Sequence, residues 1–373
     1  MNQSASFSEP KTMSASLWQW LAQSLTQHDR FAAYFEPLIQ LVRPGWSTDS
    51  VLARVTQLRA ESDDVYTLVI RPAARWAGFQ AGQFLELISE RDGVRSSRCF
   101  SISSSPDYFR RTGLIELSIR VQDGGRMTPW FREHFVHGGR CNLSAAQGSF
   151  VLPAGDAPLL MIAGGSGITP FRSMLQQLAR AQSGRNIHLM YYARHAQAWL
   201  FRDELQRFML EMPQLNVSFI DSEHQGFISV DHLHLYCPDA AVRTAMICGP
   251  SAMIRAARET TAAIGVADVR FEYFGAAPVD MPRSSADDAV VSFARSGKAV
   301  ELSSDEPKPL LQVAEEAGLK PVSGCRIGVC HQCICKKSSG VVFNTQTGRY
   351  SDTGPEEIQL CVSVATGDLV LDL

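Results

Sequence analysis

Four cysteines near the C-terminus constrain this chain more than any other feature. Cys325, Cys330 and Cys333 follow the spacing C-x4-C-x2-C, and Cys361 comes after a longer gap. This spacing is typical of a [2Fe–2S] cluster, because two bridged irons need four thiolates, three from one tight loop and a fourth from elsewhere in the fold. The sequence therefore predicts that these four cysteines bind an iron–sulfur cluster.

A zinc site and scattered free thiols are the alternative interpretations of the same cysteines. Structural zinc usually takes two C-x2-C-like pairs or added histidines, whereas the first gap here is four residues and the only nearby histidine is His331. Disulfides are not expected in a chain of this size without a secretory signal. A fifth cysteine, Cys335, alternates with Cys333 and is expected to pack in the interior rather than bind metal.

Length and composition limit the class of protein. A chain of 373 residues predicts two or three domains. The 45% hydrophobic and 20% charged residues are ordinary for a globular protein, and a net charge of −3 gives no basic field for nucleic acid. The longest apolar run, at 158–165, is too short to span a bilayer. Without a secretory signal, we expect a cytoplasmic protein, in which nine cysteines favour metal binding over disulfides.

The first part of the chain divides into a leader and a β domain. Residues 1–46 have apolar residues at spacings of three and four, which predicts one or two amphipathic helices. These helices either form a hairpin on the first domain or provide a docking face for a membrane or a partner. Residues 47–155 predict a small antiparallel barrel. Its expected strands are 51–55, 66–70, 84–87 and 115–119.

The rest of the chain predicts an α/β domain, a linker and an α+β domain. Residues 156–278 alternate strands and helices, which indicates a doubly wound parallel sheet. Residues 279–288 are rich in Pro, Ser and Asp and predict a linker. Residues 289–373 predict a mixed sheet crossed by one helix. The expected elements are strands 159–162, 187–191, 216–220, 245–247 and 290–294, and helices 170–182, 202–212, 251–264 and 310–316.

Two short motifs precede the cysteines. At 159–170 an apolar strand runs into a glycine turn, and a helix is expected to begin at Pro170. A phosphate group is favoured at such a helix start, because N–H groups and the positive dipole end point towards it. Arg98 and Phe100 follow an expected barrel strand. The arginine can pair with a diphosphate, and the phenylalanine ring can stack on a flat cofactor. Alone, each motif also fits a structural role.

Together, in this order, the motifs resemble the ferredoxin–NADP reductase superfamily. The similarity covers about residues 47–373 and is to members with a flavin barrel, a nicotinamide domain and a C-terminal plant-type ferredoxin domain of the β-grasp fold. The sequence R-C-F-S at 98–101 resembles the family's R-x-Y-S motif, with Phe100 in place of the usual Tyr. Residues 124–128 resemble the second flavin-phosphate loop. The flavin-binding candidates are Arg98, Cys99, Phe100, Ser101, Gly125, Met127 and Thr128.

The nicotinamide motifs are assigned in the same way. Residues 164–170 are similar to the family's pyrophosphate loop, and C-G-P at 248–250 resembles the motif whose Cys lies near the nicotinamide. Residues 272–274 resemble the acid and aromatic segment that covers the flavin. Arg194 and Arg202 follow a strand where the family chooses between NADH and NADPH, and they favour NADPH. The nicotinamide-site candidates are Gly165, Gly167, Thr169, Arg194, Arg202 and Cys248, and Phe274 is the candidate that covers the flavin. The candidate catalytic residues are Ser101, Cys248 and Glu272.

The resemblance implies a reductase that takes a hydride from NADPH on flavin and passes single electrons through the cluster. FAD is expected rather than FMN by resemblance alone. The leader with Trp46 looks like reductases that serve fatty-acid desaturases, so a desaturase is the first expectation for the acceptor. A Rieske-type oxygenase is the second. A redox sensor and a scaffold module, whose working surface would be the leader, are alternatives of other classes.

Overall fold

The computed structural model describes residues 50–91, 94–122, 125, 127–136, 138–274, 289–303, 307–324, 326, 328 and 331–373. The predicted leader at 1–46 and the predicted linker at 279–288 lie outside the described residues, as do Cys325 and Cys330. In the part of the chain that is described, no helix has the length and apolar character needed to cross a membrane.

The first domain is a six-stranded antiparallel sheet that curls into a barrel. The strand order is β4-β3-β6-β1-β2-β5, and a bridge between Ile102 and Leu117 joins the two ends of the sheet. In β1, Ala53 and Val55 point inward and are buried while Arg54 is exposed, which is the alternation that one covered face requires. The strands are β1 Val51–Ala60, β2 Val65–Pro72, β3 Phe84–Arg91, β4 Val94–Ser101, β5 Ile115–Arg120 and β6 Gly139–Leu143; the helices are α1 Pro106–Thr112 and α2 Met127–Phe135.

The second domain is a five-stranded parallel sheet in the order β11-β10-β7-β8-β9. Every residue of β7 and β8 is buried, because helices cover both faces of the sheet. The strands are β7 Leu159–Gly164, β8 Ile187–Ala193, β9 Leu215–Asp221, β10 Thr244–Gly249 and β11 Val269–Tyr273. The helices are α3 Ile168–Arg180, α4 Arg202–Glu211, α5 Ser222–Gln225, α6 Val230–Tyr236 and α7 Ser251–Ala263, with 3₁₀ turns at Gly165–Gly167, Ala196–Ala198 and Ala240–Val242.

The third domain has a mixed five-stranded sheet in the order β13-β12-β19-β14-β17 and a three-stranded sheet in the order β16-β15-β18. Strands β12 and β19 are parallel, and helix α8, Leu310–Glu316, has four residues in the core of the domain. The strands are β12 Ala289–Phe293, β13 Lys298–Leu302, β14 Ile334–Ser339, β15 Val342–Asn344, β16 Arg349–Tyr350, β17 Glu356–Gln359, β18 Ser363–Ala365 and β19 Leu369–Leu371.

The predicted fold classes are therefore confirmed, with corrections to individual elements. All eight strands expected in the first two domains are present. The expected helix start at Pro170 is wrong, because a 3₁₀ turn at Gly165–Gly167 lets α3 begin at Ile168. Arg98 was expected after a strand, but it lies within β4. Strands β6 and β11 and helices α1 and α2 were not expected. The domain boundaries themselves remain predictions.

Candidate functional site

The glycine loop lies at the C-terminal edge of the parallel sheet, between β7 and α3. A Cβ atom added at Gly167 would lie 2.2 Å from the carbonyl oxygen of Cys248, so the loop crosses the end of β10 at a distance that only glycine permits. Gly165 has a φ of +53°, which glycine adopts without strain. The carboxyl edge of such a sheet is where α/β folds bind their ligands.

A buried tyrosine holds this loop in place. The Tyr191 hydroxyl donates a hydrogen bond to the Gly165 carbonyl at 3.0 Å and accepts one from the Leu200 N–H at 3.0 Å. Thr169 donates from its hydroxyl to the Ser166 carbonyl at 2.9 Å. Gly167 is the N-cap residue of α3 and provides no side-chain cap, and the Ile168 N–H donates to the Gly165 and Ser166 carbonyls of the preceding 3₁₀ turn. The close backbone approach at Gly167 is compatible with a pyrophosphate, and the contacts expected of Gly165, Gly167 and Thr169 with that group remain predictions.

Strand β4 carries the predicted flavin motif. The Arg98 guanidinium donates to the Ser97 carbonyl at 2.7 Å, and the described residues form no ion pair with it. Burial, and then the nearby Arg326, lower the pKa of Arg98. The Phe100 ring lies edge-on to Phe131, with the ring centroids 6.3 Å apart. The Ser101 hydroxyl is buried and has no hydrogen-bond partner within the described parts of the chain. These features fit a flavin, because the Arg98 guanidinium and the Ser101 hydroxyl can each form further hydrogen bonds to a ligand.

The second flavin-phosphate candidate is the turn before helix α2. The Gly125 N–H donates to the Gln122 carbonyl at 2.8 Å, and the Gln122 N–H donates to the Thr128 hydroxyl at 3.0 Å. The Thr128 carbonyl accepts from the Tyr66 hydroxyl at 2.8 Å. Met127 is buried in the barrel core. The turn is thus fixed at both ends, and the two remaining residues of the motif, 124 and 126, lie outside the described chain.

Cys248 and Glu272 are neighbours across β10 and β11. The Cys248 side chain is fully buried, and burial followed by the charge of Glu272 raises the pKa of its thiol, which keeps the thiol neutral. Burial raises the pKa of Glu272 to about 8. Its Oε2 atom is buried without a partner in the region that the structure describes. A protonated carboxyl with an unused oxygen is a group that can donate to or accept from a bound cofactor.

Glycine and aromatic residues surround Glu272. A Cβ atom added at Gly148, in the turn that ends the barrel, would lie 3.5 Å from Glu272 Oε1, so the two domains meet at this carboxyl. Phe274 packs against the hydrophobic core of the parallel-sheet domain. Phe274 is therefore partly buried in this core, and its contact with flavin stays a prediction.

The two arginines predicted to bind a 2′-phosphate differ in their surroundings. The Arg202 guanidinium carbon lies 5.4 Å from the centre of the Trp199 ring and 5.9 Å from that of Phe219, so aromatic faces hold it in place. Arg194 is exposed just after β8. Of the two arginines, Arg202 is the one whose side chain is packed against neighbouring residues.

The cluster candidates are described in part. Cys333 and Cys361 are buried, and their sulfur atoms lie 3.2 Å apart, beyond the length of a disulfide bond of about 2.05 Å. Two thiols at this separation fit the coordination of one iron. Cys325 and Cys330 lie outside the described residues, within which no group of three metal ligands occurs. Cys335 is buried in the hydrophobic core, as its alternation predicted.

Three family models match the chain in the order of its domains. An oxidoreductase FAD-binding domain matches residues 52–152, an oxidoreductase NAD-binding domain matches 161–259, and a 2Fe-2S iron-sulfur cluster binding domain matches 293–366. The matches cover the candidate residues of each site except Glu272 and Phe274, which lie beyond the NAD-binding match. The chain therefore contains domains for FAD, for a nicotinamide nucleotide and for a [2Fe–2S] cluster.

Relatives and solved structures share this whole arrangement. An NADPH oxidoreductase of Mycobacterium tuberculosis is 30% identical over 90% of this chain and 87% of its own length. The NADH oxidoreductase HCR of Escherichia coli is 28% identical over 85% of this chain and 96% of its own length. The crystal structure of phthalate dioxygenase reductase is similar in fold, with a TM-score of 0.57 and 23% identity over 87% of this chain and 98% of that one.

The fold, the site and these relatives define an oxidoreductase of the ferredoxin–NADP reductase superfamily, and the chain belongs to that superfamily. Within it, the chain is one of the NAD(P)H-dependent flavin reductases that carry a [2Fe–2S] domain after the nicotinamide domain. Tyr191 and Arg172, which connect parts of the site, were not predicted. A tyrosine ending a buried strand gives only a weak signal, and Arg172 gives none because its partners are distant in sequence.

Proposed function

We propose that this reductase passes electrons from NADPH, through FAD and the cluster, to the terminal component of an oxygenase. Three relatives support an oxygenase as acceptor. They are a stachydrine N-demethylase reductase subunit of Rhizobium meliloti, a glycine betaine monooxygenase reductase subunit of Pseudomonas aeruginosa, and a 3-ketosteroid-9-alpha-monooxygenase ferredoxin reductase component of Mycobacterium tuberculosis. Their names concern those proteins, and we extend the class of acceptor to this one.

The observation that carries the proposal is that the segment containing strand β4 bonds to the nicotinamide domain and lies within electrostatic range of the cluster domain. Near its C-terminal end, the Ser104 carbonyl accepts a hydrogen bond from Ser173 of the nicotinamide domain at 2.6 Å. Within it, Arg98 is close enough to Arg326 of the cysteine loop for that charge to lower the pKa of Arg98. A flavin held on β4 would therefore lie between the electron donor and the cluster.

Each proposed residue has a defined task. When bound, the flavin accepts a hydride, which is a proton with two electrons, from the nicotinamide ring and releases single electrons to the cluster. Arg98 would hold the flavin phosphates, Phe100 would stack on the ring system and the Ser101 hydroxyl would bond to its edge. The neutral thiol of Cys248 and the protonated carboxyl of Glu272 would contact the rings without adding charge.

The choice of nucleotide rests on the arginines after β8. We propose NADPH, because Arg202 is held by two aromatic faces at the sheet edge where a 2′-phosphate would lie, with exposed Arg194 as a second cation. Asp221, the acidic residue at the end of β9, lies 3.1 Å from the His224 ring and accepts a hydrogen bond from the Glu223 N–H at the start of helix α5. Arg202→Ala should raise the KM for NADPH and leave that for NADH unchanged.

The desaturase, which was the first expectation from the sequence, becomes the second candidate for the acceptor. It depends on the leader and Trp46, which lie outside the described residues. Contact of the leader with a membrane and a cytoplasmic location likewise remain proposals. The names of the relatives as oxidoreductases and reductase components speak against a redox sensor or a scaffold.

A coupled assay tests the acceptor. The reconstituted protein is supplied with NADPH and, in separate reactions, with a purified oxygenase component or a desaturase from the same genome, and product formation is measured. We expect product only with the oxygenase. Product with the desaturase alone would refute our choice of acceptor, while absence of NADPH oxidation with ferricyanide would refute the reductase assignment itself.

A further inference from the structure

Arg172 is a buried guanidinium at the junction between the barrel and the nicotinamide domain. It lies in helix α3, and only 8% of its side chain is exposed. Its Nη1 donates to Glu116 of β5 at 2.6 Å and its Nε donates to Glu204 of α4 at 2.6 Å. Nη1 also bonds to the Ser103 carbonyl at 3.2 Å. One side chain thus connects the barrel, the helix after the pyrophosphate loop and the next helix of the nicotinamide domain.

The same face of α3 makes further bonds to the barrel. The Ser173 hydroxyl donates to the Ser104 carbonyl, and the Gln176 side-chain oxygen accepts the Ser105 N–H at 2.8 Å. Residues 103–105 begin two residues after the flavin motif of strand β4. This segment is therefore bonded directly to helix α3, which follows the pyrophosphate loop.

An aromatic residue packs against the Arg172 guanidinium. The Arg172 carbon lies 4.5 Å from the centre of the Phe201 ring. Phe201 has a φ of +57°, a left-handed conformation that is costly for an aromatic residue. Such strain persists only where the surroundings fix the backbone, so the guanidinium, its two carboxylates and this ring form one rigid unit.

We propose that Arg172 is a positioning residue for hydride transfer: with Glu116 and Glu204 it sets the orientation of the nicotinamide domain against the flavin strand. This inference rests on the proposed function. Stability alone is a weak reason for such a triad, because a buried ion pair recovers little more than the cost of desolvating its charges, and apolar replacements are often as stable. The orientation of the two domains is a stronger reason, since a displacement of about 1 Å between reacting atoms can cost roughly 100-fold in rate.

The test compares two variants. The first is the single substitution Arg172→Lys, and the second is a triple variant that combines Arg172→Met, Glu116→Leu and Glu204→Leu. Anaerobic stopped-flow follows flavin reduction by NADPH and by NADPH deuterated at the transferred position. We expect Arg172→Lys to slow reduction by about 10- to 100-fold and to raise the deuterium isotope effect, with the KM for NADPH nearly unchanged. The triple variant should retain the wild-type melting temperature and show the same slow transfer.

Arg243→Lys is the matched control. Arg243 is also buried and bonds to Asp239 at 2.7 Å and to the Leu159 carbonyl at 3.0 Å, but all of these residues lie within the nicotinamide domain. The Arg243→Lys variant should leave the deuterium isotope effect unchanged. Hydrogen exchange in flavin-free protein gives a readout independent of turnover, because the Ser105 amide should exchange faster in both Arg172 variants and normally in the control.

Each result has a defined meaning. Transfer at the wild-type rate in either folded Arg172 variant overturns the inference, and so does an equal loss in the Arg243 control. If the triple variant does not fold, Arg172→Lys decides alone. If wild-type flavin is not reduced by NADPH at all, the proposed function fails; unchanged Ser105 exchange in Arg172→Lys would overturn the positioning role even then.

Discussion

Glu272→Gln should remove a strong pH dependence of stability from this protein. The residue is half-buried, its Oε2 is buried without a partner in the described chain, and its pKa is raised to about 8 from the ordinary 4.5. The native state therefore keeps this proton up to about pH 8, whereas the unfolded chain releases it near pH 4.5. Raising the pH through this window lowers the free energy of unfolding.

The size of the effect follows from the two pKa values. At 1.36 kcal/mol for each pH unit, the difference between 4.5 and about 8 corresponds to about 5 kcal/mol. Water that reaches the half-buried side chain reduces this, so we expect a loss of about 3 to 5 kcal/mol between pH 4.5 and pH 9. A glutamine has the same shape and stays neutral, so the Gln variant should lose this contribution.

The assay is thermal unfolding of flavin-free protein at closely spaced pH values, for wild type and Glu272→Gln in parallel. Infrared spectroscopy should also show a protonated carboxyl band that disappears near pH 8 in wild type and is absent from the variant. Glu116 is a control of opposite sign: burial would raise its pKa, but Arg172 and then Arg59 lower it overall, so it stabilises the fold above the ordinary pKa and loses this effect in acid. Parallel wild-type and Gln profiles between pH 5 and 9 would refute the argument for Glu272.

Three further changes test separate parts of the molecule. Cys361→Ser should abolish the cluster absorbance and cytochrome c reduction while ferricyanide reduction by the flavin persists; loss of both activities would contradict the order of cofactors. Gly167→Ala places a Cβ atom 2.2 Å from a carbonyl oxygen and should raise the KM for NADPH more than 10-fold, whereas Gly184→Ala, which meets nothing within 4 Å, should not. Lys337→Met removes donors to three carbonyl groups at 2.6 to 2.8 Å and should destabilise the cluster domain by about 2 to 4 kcal/mol in calorimetry, unlike exposed Lys336→Met.

The sequence predicted those features that local chemistry determines. Cysteine spacing indicated the cluster, and an apolar strand followed by glycines indicated the nucleotide loop. The expected strands and helices of the parallel-sheet domain agree with the structure to within two residues at most boundaries, because strands buried on both faces read as continuous apolar runs. Burial on both sides leaves little ambiguity about where such a strand begins and ends.

The flavin strand was harder to predict. Strand β4 has the sequence V-R-S-S-R-C-F-S, which lacks a clear apolar alternation. Arg98 lies on the same face of the strand as Phe100, which packs against the barrel core, and therefore interrupts the apolar alternation. The conflict between local pattern and fold falls at a candidate functional position. The sequence therefore suggested a motif after a strand, whereas the motif is part of the strand.

The position of the cluster domain also had no sequence signal. This domain is last in the chain, yet its Arg326 lies close enough to Arg98 of the first domain to lower the pKa of that residue, after burial. Arg326 is itself held by Glu315, at 2.6 Å, in the same domain. The cluster domain thus has Arg326 within electrostatic range of Arg98 in β4, and the nicotinamide domain bonds to Ser104, three residues after that strand. A flavin held on β4, as proposed, would therefore have both other domains nearby, although the cluster domain comes last in the chain.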